Sequence, residues 1–234
     1  MLAVLRRDLE AARRRDPAAR SALEVALCYP GLHAIWGHRV GHWLWTHDLK
    51  LAGRVVSTFV RWLTAVDIHP GASLGPGLFI DHATGVVIGE TAEVGEDVTL
   101  YHGVTLGGTN LEKVKRHPTV GDRVTIGAGA KILGPVTIGH DSRVGANAVV
   151  VRDVPANSVV VGVPGQVIAR SRPRRPAAPA ELEDAGLLPD LVGVTLQSLL
   201  SRVDELETAV TGHRGDGSPR PSEAGVWSGE DFSI

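Results

Sequence analysis

Two short strings near the middle of the chain carry the residue types needed to move a proton: Asp67-Ile68-His69-Pro70 and Ile80-Asp81-His82-Ala83-Thr84-Gly85. A free imidazole titrates at about 6.5, and a carboxylate on one ring nitrogen fixes the tautomer and raises the basicity of the other. His82 with a neighbouring Asp therefore has the make-up of a general base, and the sequence leaves open which Asp faces it. Further on, Glu112, Lys113, Lys115, Arg116 and His117 form a charged run. Its Arg116 offers the planar fork of donors that matches a carboxylate.

These residues are positioned by a period. An aliphatic residue returns every six positions at Ile68, Leu74, Ile80, then Ile88, Val94, Leu100, Leu106, then Val120, Ile126, Ile132, Ile138, Val144 and Val150. Gly often follows it, as at Gly75, Gly89 and Gly127, and a small or branched residue often stands two places before, as at Ala72, Val104 and Ala130. Six fits neither a helix nor one long strand, but it fits a short strand, a turn and a repeat. The segment is expected to be a parallel β-helix, with the aliphatic residues stacked on its axis and Gly at corners whose backbone shape side chains resist. The period breaks twice. Ile80 to Ile88 is a step of eight and carries Asp81 and His82; Leu106 to Val120 is a step of fourteen and carries Gly108, Thr109 and the charged run. A solenoid turns insertions into loops on its faces, so function is expected at these breaks.

Three of the histidines in the repeat, His82, His102 and His117, raise the question of zinc. The β-helical carbonic anhydrases carry two ligands five residues apart on one rung, and no such pair exists in this segment; no metal is expected.

The 234 residues carry a net charge of −2, which gives no electrostatic ground for a nucleic acid or membrane partner. A single cysteine, Cys28, rules out an internal disulfide, and no apolar run approaches the roughly 18 residues of a bilayer span. A cytoplasmic protein is expected. Residues 1–66 read as a helical region, with Pro17 and Pro30-Gly31 as punctuation and the Trp and His residues of Leu32 to His47 as packing residues. The β-helix is assigned to 67–170, with Ala156 to Ala169 closing it, a linker to 171–187, and a flexible tail to 212–234. Between the last two, Val192, Leu196, Leu199, Val203, Leu206 and Val210 give 188–211 an amphipathic pattern that suits either a short coiled coil or a helix lying on its own subunit.

Several strings together resemble the serine O-acetyltransferases. They are Val66-Asp67-Ile68-His69-Pro70, Asp81-His82-Ala83-Thr84-Gly85, Ile88-Gly89-Glu90-Thr91, Val104-Thr105-Leu106-Gly107-Gly108-Thr109, Arg116-His117-Pro118 and Ile126-Gly127-Ala128-Gly129-Ala130-Lys131-Ile132-Leu133-Gly134. Arg15-Asp16-Pro17-Ala18 and Gly41-His42-Trp43-Leu44-Trp45 extend the match, which runs from about residue 6 to 170. The resemblance implies a left-handed β-helix, a homotrimer or a hexamer, and transfer of acetyl from acetyl-CoA to the hydroxyl of L-serine on the way to cysteine, with no permanently bound cofactor. It implies His82 as the base with Asp67 as its orienting carboxylate, Asp16 and Asp81 for the amino group, Arg116 and His117 for the carboxylate, and Gly108, Ala128 and Ala146 along the CoA channel. It further implies feedback inhibition by L-cysteine, and binding of the C-terminal Ile234 to O-acetylserine sulfhydrylase. The helical region is about half as long as in the long bacterial members, where it joins two trimers. The alternatives are a hexapeptide acetyltransferase for a sugar or antibiotic hydroxyl, and a non-catalytic trimeric binding protein. A neutral sugar would have no use for the Arg116 fork.

Overall fold

The six-residue period becomes a three-sided coil, one side for each step. The first face stacks Asp67–Ile68, Val87–Ile88, Thr105–Gly107, Lys131–Leu133 and Val149–Val150. The second stacks Ser73–Leu74, Glu93–Val94, Thr119–Val120 and Thr137–Ile138, and the third Phe79–Asp81, Thr99–Tyr101, Thr125–Ile126, Arg143–Val144 and Ser158–Val161. Every pairing between coils is parallel and keeps the period in register: Ile68, Ile88, Leu106, Ile132 and Val150 form one column, and Ile80, Leu100, Ile126, Val144 and Val160 another. These columns and the small or branched residues two places before them, such as Val98, Val104, Val124 and Ala148, make one continuous core. Gln166–Arg170 runs back antiparallel on Ser158–Val161 and closes the stack.

The computed structural model describes residues 2–170 and Val203. The linker over 171–187, the helix over 188–211 apart from the helical Val203, the tail over 212–234 and Ile234 lie outside the described residues.

The glycines that follow the aliphatic residues do a different job from the one expected. Their φ values are not in the left-handed region; a Cβ on Gly75 would instead lie 2.4 Å from the carbonyl oxygen of Gly95, and one on Gly127 2.6 Å from the nitrogen of Ala146. Close approach of stacked coils excludes the side chain there. The left-handed corners fall elsewhere, at Gly103, Gly129 and Asn147 on one edge and at Asp97, Arg123 and Asp141 on another.

Four helices precede the coil: α1 Leu2–Arg15, α2 Ala22–Cys28, α3 Pro30–Thr46 and α4 Lys50–Thr64. Pro30 starts α3 rather than breaking it, because the first turn of a helix has no use for the missing N–H. Asp8 on α1 fastens the helices to the first coil. It is fully buried, accepts from Arg39 of α3 at 2.8 and 2.9 Å and from the Gly77 N–H at 2.9 Å, while Arg39 donates to the Leu74 and Gly75 carbonyls. Arg15 repeats the device at the end of α1, donating to Gly77, Val98, Thr99 and Asp97 of successive coils. On α4, Leu51, Val55, Phe59 and Trp62 leave an apolar stripe exposed. Among the described residues no helix is long and apolar enough to cross a membrane.

Of the Trp and His residues of α3, His33 and His42 have their ring nitrogens on backbone carbonyls, of Ala26 and of Pro70, each at 2.8 Å, whereas Trp36 Nε1 is buried without a partner. His38 too is buried with neither ring nitrogen partnered, and burial pushes its pKa down to about 3.

Removing Asp8 strands a nearly buried guanidinium, so Asp8→Ala is expected to cost about 3–5 kcal/mol in urea unfolding; a loss below about 1 kcal/mol would contradict the fastening role. His38 has a depressed folded pKa, so its stability contribution is present above the unfolded value of about 6.5 and is lost as pH falls toward about 3. His38→Leu should therefore gain about 2 kcal/mol more over the wild type at pH 5 than at pH 8, and an equal difference at both pH values would remove His38 as the cause.

Candidate active site

The step of eight is absorbed in a turn that buries Ala83 and pushes His82 outward. His82 and Ala83 both hold φ 55°, two consecutive non-glycine residues in the left-handed region, at a cost of about 1–2 kcal/mol each. The His82 side chain is 75% exposed, its Nε2 lies 4.0 Å from Asp81 Oδ2, and the His102 ring one coil on stands edge-on at 5.8 Å. Strain of this kind persists where the surroundings over-determine it, and it collects at functional sites.

The same edge, between the third and first faces, carries more of the expected residues. Arg15 anchors the end of α1 at the corner between the second and third faces, and Asp16 beside it accepts the Tyr29 hydroxyl at 2.5 Å and the Ala18 N–H at 2.8 Å. The Asp16 hydrogen bond, more than burial, pushes the Tyr29 phenol up to about 12, and the Asp81 charge adds to the effect. The edge then climbs through small residues: Gly103 N–H donates to the Thr84 carbonyl, Gly129 to His102 and Asn147 to Ala128, which sets Ala128 and Ala146 in line above the His82 turn.

The step of fourteen makes a loop on the edge between the first and second faces. Its end folds back onto Glu90 and Thr91 of the coil below: Arg116 Nη2 meets Glu90 Oε2 at 2.7 Å, Arg116 Nη1 donates to the Glu112 carbonyl at 2.9 Å, and Lys115 Nζ donates to the Thr91 carbonyl at 2.6 Å. His117, only 8% exposed, lies over Gly89 with its Nδ1 on the Thr91 hydroxyl at 2.9 Å. Burial, and then the Arg116 charge, hold its pKa below the usual value. Gly108 faces the same ring, since a Cβ there would sit 3.1 Å from His117 Nε2.

The expected residues thus fall into two groups. Asp81, His82, Ala128 and Ala146 share one edge, Asp16 is linked to it through Tyr29, whose phenol feels the Asp81 charge, and Gly108, Arg116 and His117 share the next; among the described residues no hydrogen bond, ion pair or ring contact joins the groups. Asp67 stands on the first face between them and is paired with Arg61 of α4 at 3.3 Å, not with His82. The three histidines weighed as zinc ligands are divided in the same way, and no group of three candidate ligands converges among the described residues. Tyr29, Glu90 and Thr91, which hold Asp16, Arg116 and His117, were not singled out as site residues from the sequence. Glu90 and Thr91 lie one coil below their partners, so the two-coil register was the signal that could have found them.

Residues 117–152 match the family model described as bacterial transferase hexapeptide (six repeats). A serine acetyltransferase of Mycobacterium tuberculosis is 63% identical over 234 residues, the whole of both chains. The chain belongs to the serine acetyltransferases. Among solved structures, the serine acetyltransferase of Brucella abortus in complex with coenzyme A superposes with a TM-score of 0.71 at 44% identity, covering 73% of this chain and 68% of that one. The soybean serine acetyltransferase complexed with serine gives 0.70 at 46% identity, covering 71% and 68%.

In this serine acetyltransferase the His117 titration is a direct reading of the second group. Its midpoint, followed by NMR, should lie below about 6.5 and rise in Arg116→Met, because the guanidinium is one of the charges that lower it. A midpoint that is unmoved or falls would show that Arg116 does not face the ring.

Proposed function

We propose that the enzyme transfers the acetyl group of acetyl-CoA to the hydroxyl of L-serine, with His82 as the general base. The observation that carries this reading is the exposed imidazole held on a strained turn beside Asp81, at the foot of an edge lined by Ala128 and Ala146. A serine hydroxyl is a poor nucleophile until its proton is removed. His82 takes that proton as the oxygen attacks the thioester carbonyl; the tetrahedral intermediate then expels the CoA thiolate, which takes the proton back from the imidazolium.

Asp81 on the His82 edge, and Asp16 with Tyr29, suit the ammonium of serine, and Arg116 and His117 suit its carboxylate. Gly108, Ala128 and Ala146 give an extended pantetheine arm a path free of large side chains; three coil steps at about 4.8 Å place Ala146 roughly 14 Å along the edge from the His82 turn. Asp67 serves as the orienting carboxylate. Its present pair with Arg61 is solvent-exposed and worth no more than about 1 kcal/mol, so little opposes its release.

The two groups sit on different edges of one coil, so a complete site needs the His82 edge of one copy against the His117 edge of another. A closed ring of three copies repeats that contact with none left over. The exposed stripe on α4 is consistent with a further covered face in that assembly. L-Cysteine shares the ammonium and carboxylate of serine and is read as a competitor for the same groups.

Thiol release from acetyl-CoA, measured with L-serine, L-homoserine, a galactoside or no acceptor, should be serine-dependent and should fall on addition of L-cysteine. Release with another acceptor alone would overturn the substrate, and none with any acceptor would overturn the reaction. His82→Ala should lower kcat by about 10²–10⁴-fold with assembly intact, and near-normal turnover would sink the base. Asp67→Asn should act mainly on kcat and Asp81→Asn mainly on the KM for serine; the reverse pattern would exchange their roles.

A further inference from the structure

Thr91 is the point on which the second group closes. A hydroxyl has one proton to give and two lone pairs to offer. The Thr91 oxygen accepts the backbone N–H of Arg116 at 3.0 Å and that of His117 at 3.1 Å, which fills both lone pairs. Its proton is left for His117 Nδ1, 2.9 Å away, and the Thr91 backbone N–H points to the same nitrogen at 3.2 Å. A nitrogen that receives two donors cannot carry a proton of its own. The single proton of the neutral ring is therefore on Nε2, and Nε2 has no partner among the described residues.

We propose that Thr91 is a positioning residue that holds His117 as the neutral Nε2–H tautomer, so that the imidazole meets an anionic group of the substrate as a hydrogen-bond donor. The proposal rests on the reading of His117 as a ligand of the serine carboxylate. The ring has little freedom to escape: a Cβ on Gly89 would fall 2.0 Å from its Nε2 and Cδ2. Protonating Nδ1 would set it against both Thr91 donors, which is consistent with the lowered pKa that burial already gives the ring. The carboxylate is then held by one permanent cation, Arg116, and one neutral donor.

The tautomer can be read without substrate, by nitrogen NMR of the full-length enzyme labelled in histidine, with the His117 resonances assigned by their loss in His117→Asn. At pH 7 Nε2 should be protonated and Nδ1 bare. A ring protonated at Nδ1, or at both nitrogens, overturns the proposal whatever the variants do. Thr91→Val should raise the KM for serine by about tenfold, the worth of one hydrogen bond to a charged group, with kcat changed less and the His117 resonances moved. Thr91→Ser, which keeps the hydroxyl, should restore both. An unchanged KM and unchanged resonances in Thr91→Val, or no rescue by Ser, would show that Thr91 does not act through His117. Absence of serine-dependent turnover in the wild type would defeat the functional reading while leaving the tautomer measurement standing.

Discussion

The structure depends on one constraint: each coil must lie on the coil below in register, aliphatic residue upon aliphatic residue. No coil buries its own apolar side, and the backbone groups of the short strands pair mainly with the coils above and below. Stacking therefore fixes which residues share an edge, however far apart they stand in sequence. His82, His102, Ala128 and Ala146 form a line because they occupy one corner of successive coils, and Thr91 meets His117 across 26 positions for the same reason. The two insertions are tolerated because they leave from corners, where the coil can lengthen without disturbing the columns.

Both insertions are held by polar fastenings, and the two are of different kinds. The His82 turn is short and strained, so the imidazole is exposed but its backbone has few alternatives. The longer loop is unstrained by comparison and is tied down at its end, where Lys115, Arg116 and His117 are each tied to Thr91. The helices supply the remaining acid. Asp8 and Arg15 dock α1 on the first coils, and Asp16 is placed near Asp81 as a consequence.

Much of this was legible in the sequence, for a physical reason. A repeat of six with aliphatic residues in phase has one economical solution, and the register observed for Ile68, Ile88 and Leu106 is that solution. The breaks in the period also marked the loops that carry His82 and His117. The corner glycines were misjudged, since sequence does not separate a residue excluded by a neighbouring coil from one needed for a left-handed backbone; Gly75 and Gly103 look alike until the coils are stacked. The partner of Asp67 was hidden too, because Arg61 belongs to a helix whose approach is set by packing. The division of the expected residues between two edges was implicit in the period, but only once each residue was assigned to its corner.

That division is the central claim, and complementation between copies tests it most directly. Homotrimers of His82→Ala and of His117→Ala, each inactive or nearly so, would be unfolded, mixed in equal amounts and refolded together. If the His82 edge of one copy works against the His117 edge of the next, about a quarter of the contacts in randomly mixed trimers pair two intact edges, and about a quarter of wild-type turnover should return. No recovery beyond the separate variants, in mixed trimers shown to have formed, would mean that each chain works alone and would contradict the account.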